Sequence, residues 1–194
     1  MSLPAPSVGR TFPLLDDVVA LSDIAMSAHS RFAAVELLVQ GLGSVLRARF
    51  ELPAFLLVPD PWNCIRHELY RSPEFGYQIV AITWAPKQES GIHDHGSTWG
   101  IEAVLAGELE VTDYVISEER SPWVRMEELD QKILRAGQVI GLLPPHDLHA
   151  CRNPAHDRTA VSLHVYGKPL EQVQRYHPAR DDLYRQDGAQ LHAL

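Results

Sequence analysis

The chain is 194 residues long, with 45% hydrophobic and 22% charged residues, the balance of a soluble globular protein. Its formal net charge of −8, with no basic block to offset it, argues against a nucleic-acid partner. No apolar run approaches the length of a membrane span, the opening Met1-Ser2-Leu3-Pro4-Ala5-Pro6 lacks the pattern of a secretory signal, and the only cysteines are Cys64 and Cys151. A cytoplasmic, reducing setting is therefore expected, with no membrane partner.

Residues 1–13 carry three prolines and read as a loose arm. Leu14 to His29 and Ser30 to Phe50 read as two helices. In the second, Phe32, Val35, Leu38, Val39, Leu42 and Leu46 recur at helical spacing, and Ser30 is a suitable N-cap. Gly41 and Gly43 are expected to weaken this helix, and Pro53 to end it. From Cys64 onward the pattern becomes β-like. Cys64–Tyr70, the β-branched and aromatic Tyr77–Trp84, and Trp99–Val115 broken at Gly107 are expected strands. Gln131–Arg135, Val139–Leu143, Leu148–Arg152 and Thr159–Tyr166 complete the set. Ser117–Asp130 reads as a long polar loop, and the polar stretch after Pro169 as a segment that partly wraps the barrel or frays.

Short strands with frequent turn residues predict a mainly β barrel or sandwich. We expect one domain over 1–194: an N-terminal arm and helical cap (1–55), a barrel (56–168) and a C-terminal extension (169–194). Nothing in the sequence sets the oligomeric state.

The chemistry concentrates in Gly91-Ile92-His93-Asp94-His95-Gly96. On a strand, His93 and His95 share one face and Asp94 points away. Two imidazoles on one face begin a metal site. Downstream, Gly137 opens an apolar strand that ends at Pro144-Pro145 and leads into His146-Asp147-Leu148-His149 and Asn153. His149 is the expected third ligand, with His146 as its competitor. His29, His67, His156, His177 and His192 have no patterned partners and are expected at the surface or in loops. Trp84 and Trp99 are expected as core aromatics near the mouth, with Trp99 able to shape the pocket.

These motifs, His93-x-His95 followed at a dozen positions by Gly107, then the glycine turn, proline turn and His149-x-x-x-Asn153, resemble the two ordered motifs of the cupin superfamily. The resemblance implies a double-stranded β-helix (jelly-roll-like) barrel with an internal metal. Most metal cupins carry a glutamate ligand four or five residues after the second histidine. Here those positions are Trp99 and Gly100, and Glu102 falls too far along. A three-histidine set resembles the thiol dioxygenases, which include cysteine dioxygenase and 3-mercaptopropionate dioxygenase. Ser162-x-His164-x-Tyr166 matches that family's hydrogen-bonded relay beside the iron. Arg66, some twenty-five residues before the paired histidines, stands where the family holds the substrate carboxylate, although Cys64 replaces a tyrosine often found two residues earlier. Gly100 stands where animal members carry a cysteine linked to the site tyrosine, so that link to Tyr166 is absent.

The resemblance implies a cofactor, Fe(2+), on His93, His95 and His149, with Arg66 on the substrate carboxylate and Tyr166, His164 and Ser162 serving oxygen or proton control. The partners are a small thiol and O2. The expected product is a sulfinate, with cysteine favoured as substrate. Oxidation of 3-mercaptopropionate, a carbon substrate, or a non-catalytic metal-binding cupin are the competing expectations.

Overall fold

In this computed structural model, residues 12–193 are described, so most of the expected arm lies outside the described residues. Helix α1 spans Leu15–Met26 and α2 spans Arg31–Val45. Ser30 caps α2 as predicted: its backbone is extended and its Oγ accepts a bond from the Ala33 N–H at 3.1 Å. The helix runs through both glycines and ends at Val45, well before Pro53. Gly41 lets the two helices approach closely: a Cβ there would lie 2.8 Å from Cδ2 of Leu21 on α1, which would have to shift. Val35, Leu38, Leu42 and Leu46 are buried. Phe32, on the predicted apolar face, is exposed, since the buried stripe begins with Ala34 and Val35.

The helices cover one face of a five-stranded sheet. Its strands are β1 (Ile65–Arg71), β2 (Gln78–Trp84), β4 (Gly100–Ala106), β7 (Val139–Leu142) and β9 (Ala160–Tyr166), in the order β1-β2-β9-β4-β7. Every residue of β2 and β9 is buried, so both of their faces pack against other elements. Ile79, Ala81, Ile101, Leu163 and Val165 pack toward the helices. Val80, Ile82, Trp84, Val104 and Tyr166 belong to a second cluster on the opposite face.

The facing sheet closes on itself in the order β10-β11-β6-β5-β8-β3. It comprises β3 (Ile92–His93), β5 (Glu108–Arg120), β6 (Trp123–Arg135), β8 (His149–Arg152), β10 (Gln172–Arg180) and β11 (Leu183–Gln190). Two expectations are corrected here. The polar stretch Ser117–Asp130 is no loop: it is the far part of a β5–β6 hairpin paired from Glu108–Arg135 to Arg120–Trp123. The extension after Pro169 is a second hairpin, β10–β11, and β10 pairs with β3. Both hairpins bury few of their side chains, among them Val124, Met126, Val173 and Tyr176. Backbone pairing therefore carries them, and their apolar signal is weak. The result is a mainly β, double-stranded β-helix with a helical cap.

Gly107 makes the β4–β5 turn at φ +73°, and a Cβ there would meet the Ala160 Cα at 3.1 Å. Only glycine suits that position.

Candidate metal centre and its cavity

The paired histidines do not lie on one extended strand. β3 ends at His93, and the chain then turns through Gly96 (φ +55°) and Ser97 (φ +66°). A Cβ at Gly96 would lie 2.7 Å from the Gln172 carbonyl oxygen, so the turn needs glycine. Asp94 does point away, and its Oδ1 accepts from the backbone N–H of Gly96 (3.1 Å) and Gln174 (2.8 Å). His93 pairs with His149 across β3–β8. The ring centroids are 5.3 Å apart for His93–His95 and 4.9 Å for each of the other two pairs. One ligand atom from each of the three residues lies within 4.8 Å of the others.

Backbone and carboxylate contacts aim two of the rings. His93 Nδ1 donates to the Gly91 carbonyl at 3.1 Å, and His95 Nδ1 donates to Asp147 Oδ2 at 3.1 Å. Each contact fixes a tautomer whose Nε2 lone pair is free for a metal. His149 Nδ1 is buried without a hydrogen-bond partner among the described residues. Burial, and then the neighbouring imidazole of His95, push the His93 pKa down to about 3 and that of His149 well below the ordinary range. Two neutral imidazoles and a third with a free lone pair fit a divalent metal with open coordination positions. His146 is exposed and stands outside this cluster.

One cavity of about 270 Å³ holds His93, His95 and His149 together with Arg66, His164 and Tyr166. Ser162, His164 and Tyr166 alternate along β9 and face the cavity side. The Trp84 indole N–H donates to Ser162 Oγ at 2.9 Å, and Ser162 Oγ lies 2.7 Å from His164 Nε2. The expected hydrogen-bonded chain stops at His164. The His164 and Tyr166 rings stack instead, with centroids 5.7 Å apart and planes 19° from parallel. Burial holds His164 well below the ordinary histidine range, and the Arg66 charge adds to this. Burial pushes the Tyr166 hydroxyl up to about 12, opposed by Arg66, whose Cζ sits 5.8 Å from the ring centroid.

A carboxylate does lie beside His149, although it does not line the cavity. Glu102 is fully buried, and the Cys151 thiol approaches its two carboxylate oxygens at 3.4 and 3.5 Å. Glu102, His149 and Cys151 also bring ligand atoms within 4.8 Å of one another. Burial lifts the Glu102 pKa to about 7. Cys151 is buried as expected, in the second apolar cluster, with its thiol turned to Glu102 and His149. His67 is buried rather than exposed, packed edge-on against Phe55 at 5.2 Å. Trp84 lines the cavity, whereas Trp99 packs in the cluster on the helical side.

Sequence reasoning missed two residues. Asp147 was visible only as part of the His146-Asp147-Leu148-His149 run. Arg175 lines the cavity from β10, in the polar segment expected to wrap the barrel in part or fray, so no signal pointed to it. A larger groove of about 550 Å³, lined by Trp123, Val124 and Leu183, lies along the two hairpins and contains none of the histidines.

A double-stranded β-helix whose interior converges three histidines is a cupin with a candidate metal centre. The model of the family "Cysteine dioxygenase type I" matches residues 64–179, and the chain belongs to that family. It is 27% identical over 153 residues to cysteine dioxygenase type 1 of Bos taurus, covering 78% of this chain and 76% of the bovine one. Against the Homo sapiens protein the identity is 24% with the same coverage. Among solved structures it is similar to a protein from Thermus thermophilus (18% identity, 61% of this chain and 96% of that chain, TM-score 0.42). It is also similar to an oxalate oxidase (18% identity, 57% of this chain and 53% of that chain, TM-score 0.42).

Proposed function

We propose that the protein is an iron(II)-dependent dioxygenase of a small thiol carboxylate. The observation that carries this reading is the sharing of one cavity by three histidines, Arg66, His164 and Tyr166. The reaction consumes one thiolate and one O2: the O–O bond breaks, two S–O bonds form, and sulfur gives up the four electrons that reduce dioxygen. No outside reductant is needed. The product is the sulfinate.

Ferrous iron on His93, His95 and His149 would bring thiolate and dioxygen to adjacent positions, which removes most of the entropic barrier to their meeting. The remaining work falls to the chain. Arg66 offers a planar fork of N–H donors to the substrate carboxylate. Tyr166, with its hydroxyl raised to about 12, keeps its proton at neutral pH and can donate it in a hydrogen bond. Burial keeps His164 neutral, and Ser162, fixed by the Trp84 indole, holds its ring in one orientation, stacked on Tyr166. Cysteine is the substrate suggested by the relatives' names, and two free thiols fit a reducing, cytoplasmic compartment.

The test is oxygen uptake by iron-loaded protein across a panel of small thiols, with product identification. Thiol-dependent uptake and a sulfinate product support the reading; no uptake with any thiol overturns it.

A further inference from the structure

The cavity holds a second guanidinium. Arg66 reaches it from β1 in one sheet and Arg175 from β10 in the other. The Nε of each is buried and without a hydrogen-bond partner among the described residues. Neither forms an ion pair with a described carboxylate, whereas Arg71, Arg125 and Arg152 each do. Asp187, directly across the β10–β11 ladder from Arg175, is turned to Arg185 at 3.5 Å. Glu89, the one carboxylate lining the cavity, is exposed at its rim, and Glu102 is engaged with Cys151.

Two guanidiniums lining one small cavity with no anion between them repel each other and whatever cation approaches. Arg175 is also fixed relative to the metal ligands, because it pairs with His93 across β3–β10. Arg66 is anchored against the Tyr166 ring. A ligand entering between them is therefore offered cationic forks from two sides and a metal-binding corner at the histidines. A carboxylate answers either fork. An ammonium group, such as the one cysteine carries, meets repulsion at the second. The volume of about 270 Å³ lies below the range typical of drug-sized ligands, which suits a molecule of a few carbons.

We propose that Arg175 is a substrate-binding residue and that the site takes a small thiol bearing two carboxylates, one on Arg66 and one on Arg175. This rests on the reading of the cavity as a thiol site and narrows its substrate class. It also reverses the lean toward cysteine that Arg66 alone suggested.

Three probes separate the cases: 2-mercaptobutanedioate, with two carboxylates; 3-mercaptopropionate, with one; and cysteine, with one and an ammonium. Their binding to the iron-loaded protein under anaerobic conditions is measured by calorimetry, and oxygen uptake is measured separately. The dicarboxylate should bind roughly tenfold or more tightly than 3-mercaptopropionate, and cysteine more weakly than both. In Arg175→Gln the ratio of dicarboxylate to monocarboxylate affinity should shrink to within about threefold, and in Arg175→Glu the order of dicarboxylate and cysteine should invert. Arg175→Lys, which keeps the charge, should retain most of the preference, and thermal melts establish which variants fold. Equal affinity for the one- and two-carboxylate thiols, or an unchanged ratio in a folded Arg175→Gln, overturns the proposal. Preferential dicarboxylate binding without oxygen uptake upholds this ligand class and overturns the dioxygenase reading alone.

Discussion

A single oxygen of Asp147 holds His95 at two points. Oδ2 accepts the backbone N–H of His95 at 3.0 Å and its ring Nδ1–H at 3.1 Å. The first bond fixes where the residue sits and the second fixes which nitrogen faces the cavity. Both partners are nearly fully buried, so no water competes for either contact. Asp147 lies between the proline turn and His149, and so ties the first histidine motif to the second.

Asp147→Ala should therefore weaken metal binding without removing a ligand. Outer contacts of this kind typically contribute 10- to 100-fold in affinity, and a loss of about that size is expected. Competition against a chelator of known affinity measures it. Undiminished affinity in a folded Asp147→Ala would show that His95 is held by its own backbone.

The ligand assignment has a sharper test, because two histidines compete for one role. His149 is buried opposite His93, whereas His146 is exposed in the turn. His149→Ala should lose stoichiometric iron, and His146→Ala should retain it, as measured by metal analysis of protein loaded and desalted in parallel. Full iron occupancy in His149→Ala would remove it from the set.

The histidines were legible in the sequence because spacing encodes them, and Ser162-x-His164-x-Tyr166 because a buried strand keeps one face at every second residue. The helices and central strands were legible because their faces are apolar. Arg175 was not, and the reason is physical. Hairpin β10–β11 buries only Val173 and Tyr176 and is carried by backbone pairing, which leaves little trace in residue type. The same holds for the outer half of β5–β6. The contact of Glu102 with His149 and Cys151 was not legible for another reason. Counting from His95 measures distance along the chain, but β4 carries Glu102 inward beneath His149, where only the fold shows the approach.

Ser162 tests the other wall of the cavity. Its hydroxyl accepts from Trp84 and contacts His164, and all three groups are buried. Ser162→Ala would strand an indole N–H and an imidazole nitrogen in the interior. Each unsatisfied buried group costs about 1–3 kcal/mol, so a stability loss within that range or somewhat above it is expected. Denaturant midpoints measure it. If the proposed role of His164 holds, thiol oxidation should also fall in kcat more than it shifts KM. A Ser162→Ala protein as stable as the parent would mean that the two partners find other bonds.

Glu102 makes stability depend on pH in the metal-free protein. Burial raises its pKa from 4.5 to about 7, so the folded state binds a proton more tightly than the unfolded chain. The contribution to stability is full below 4.5, declines as pH rises toward about 7, and is gone above it. The slope is about 1.4 kcal/mol per pH unit, giving a total on the order of 3 kcal/mol across that window. His93 acts in the opposite sense: its pKa falls to about 3, so its contribution is present above its ordinary value of 6.5 and declines as pH drops. The two trends overlap in the parent, and Glu102→Gln separates them. Glutamine keeps the shape and cannot titrate, so Glu102→Gln should gain stability relative to the parent as pH rises from about 5 to about 8. Urea unfolding of both metal-free proteins at each pH gives the difference directly. A gap that stays constant across the range would mean that Glu102 titrates alike in both states, and that the Cys151 thiol offsets its burial.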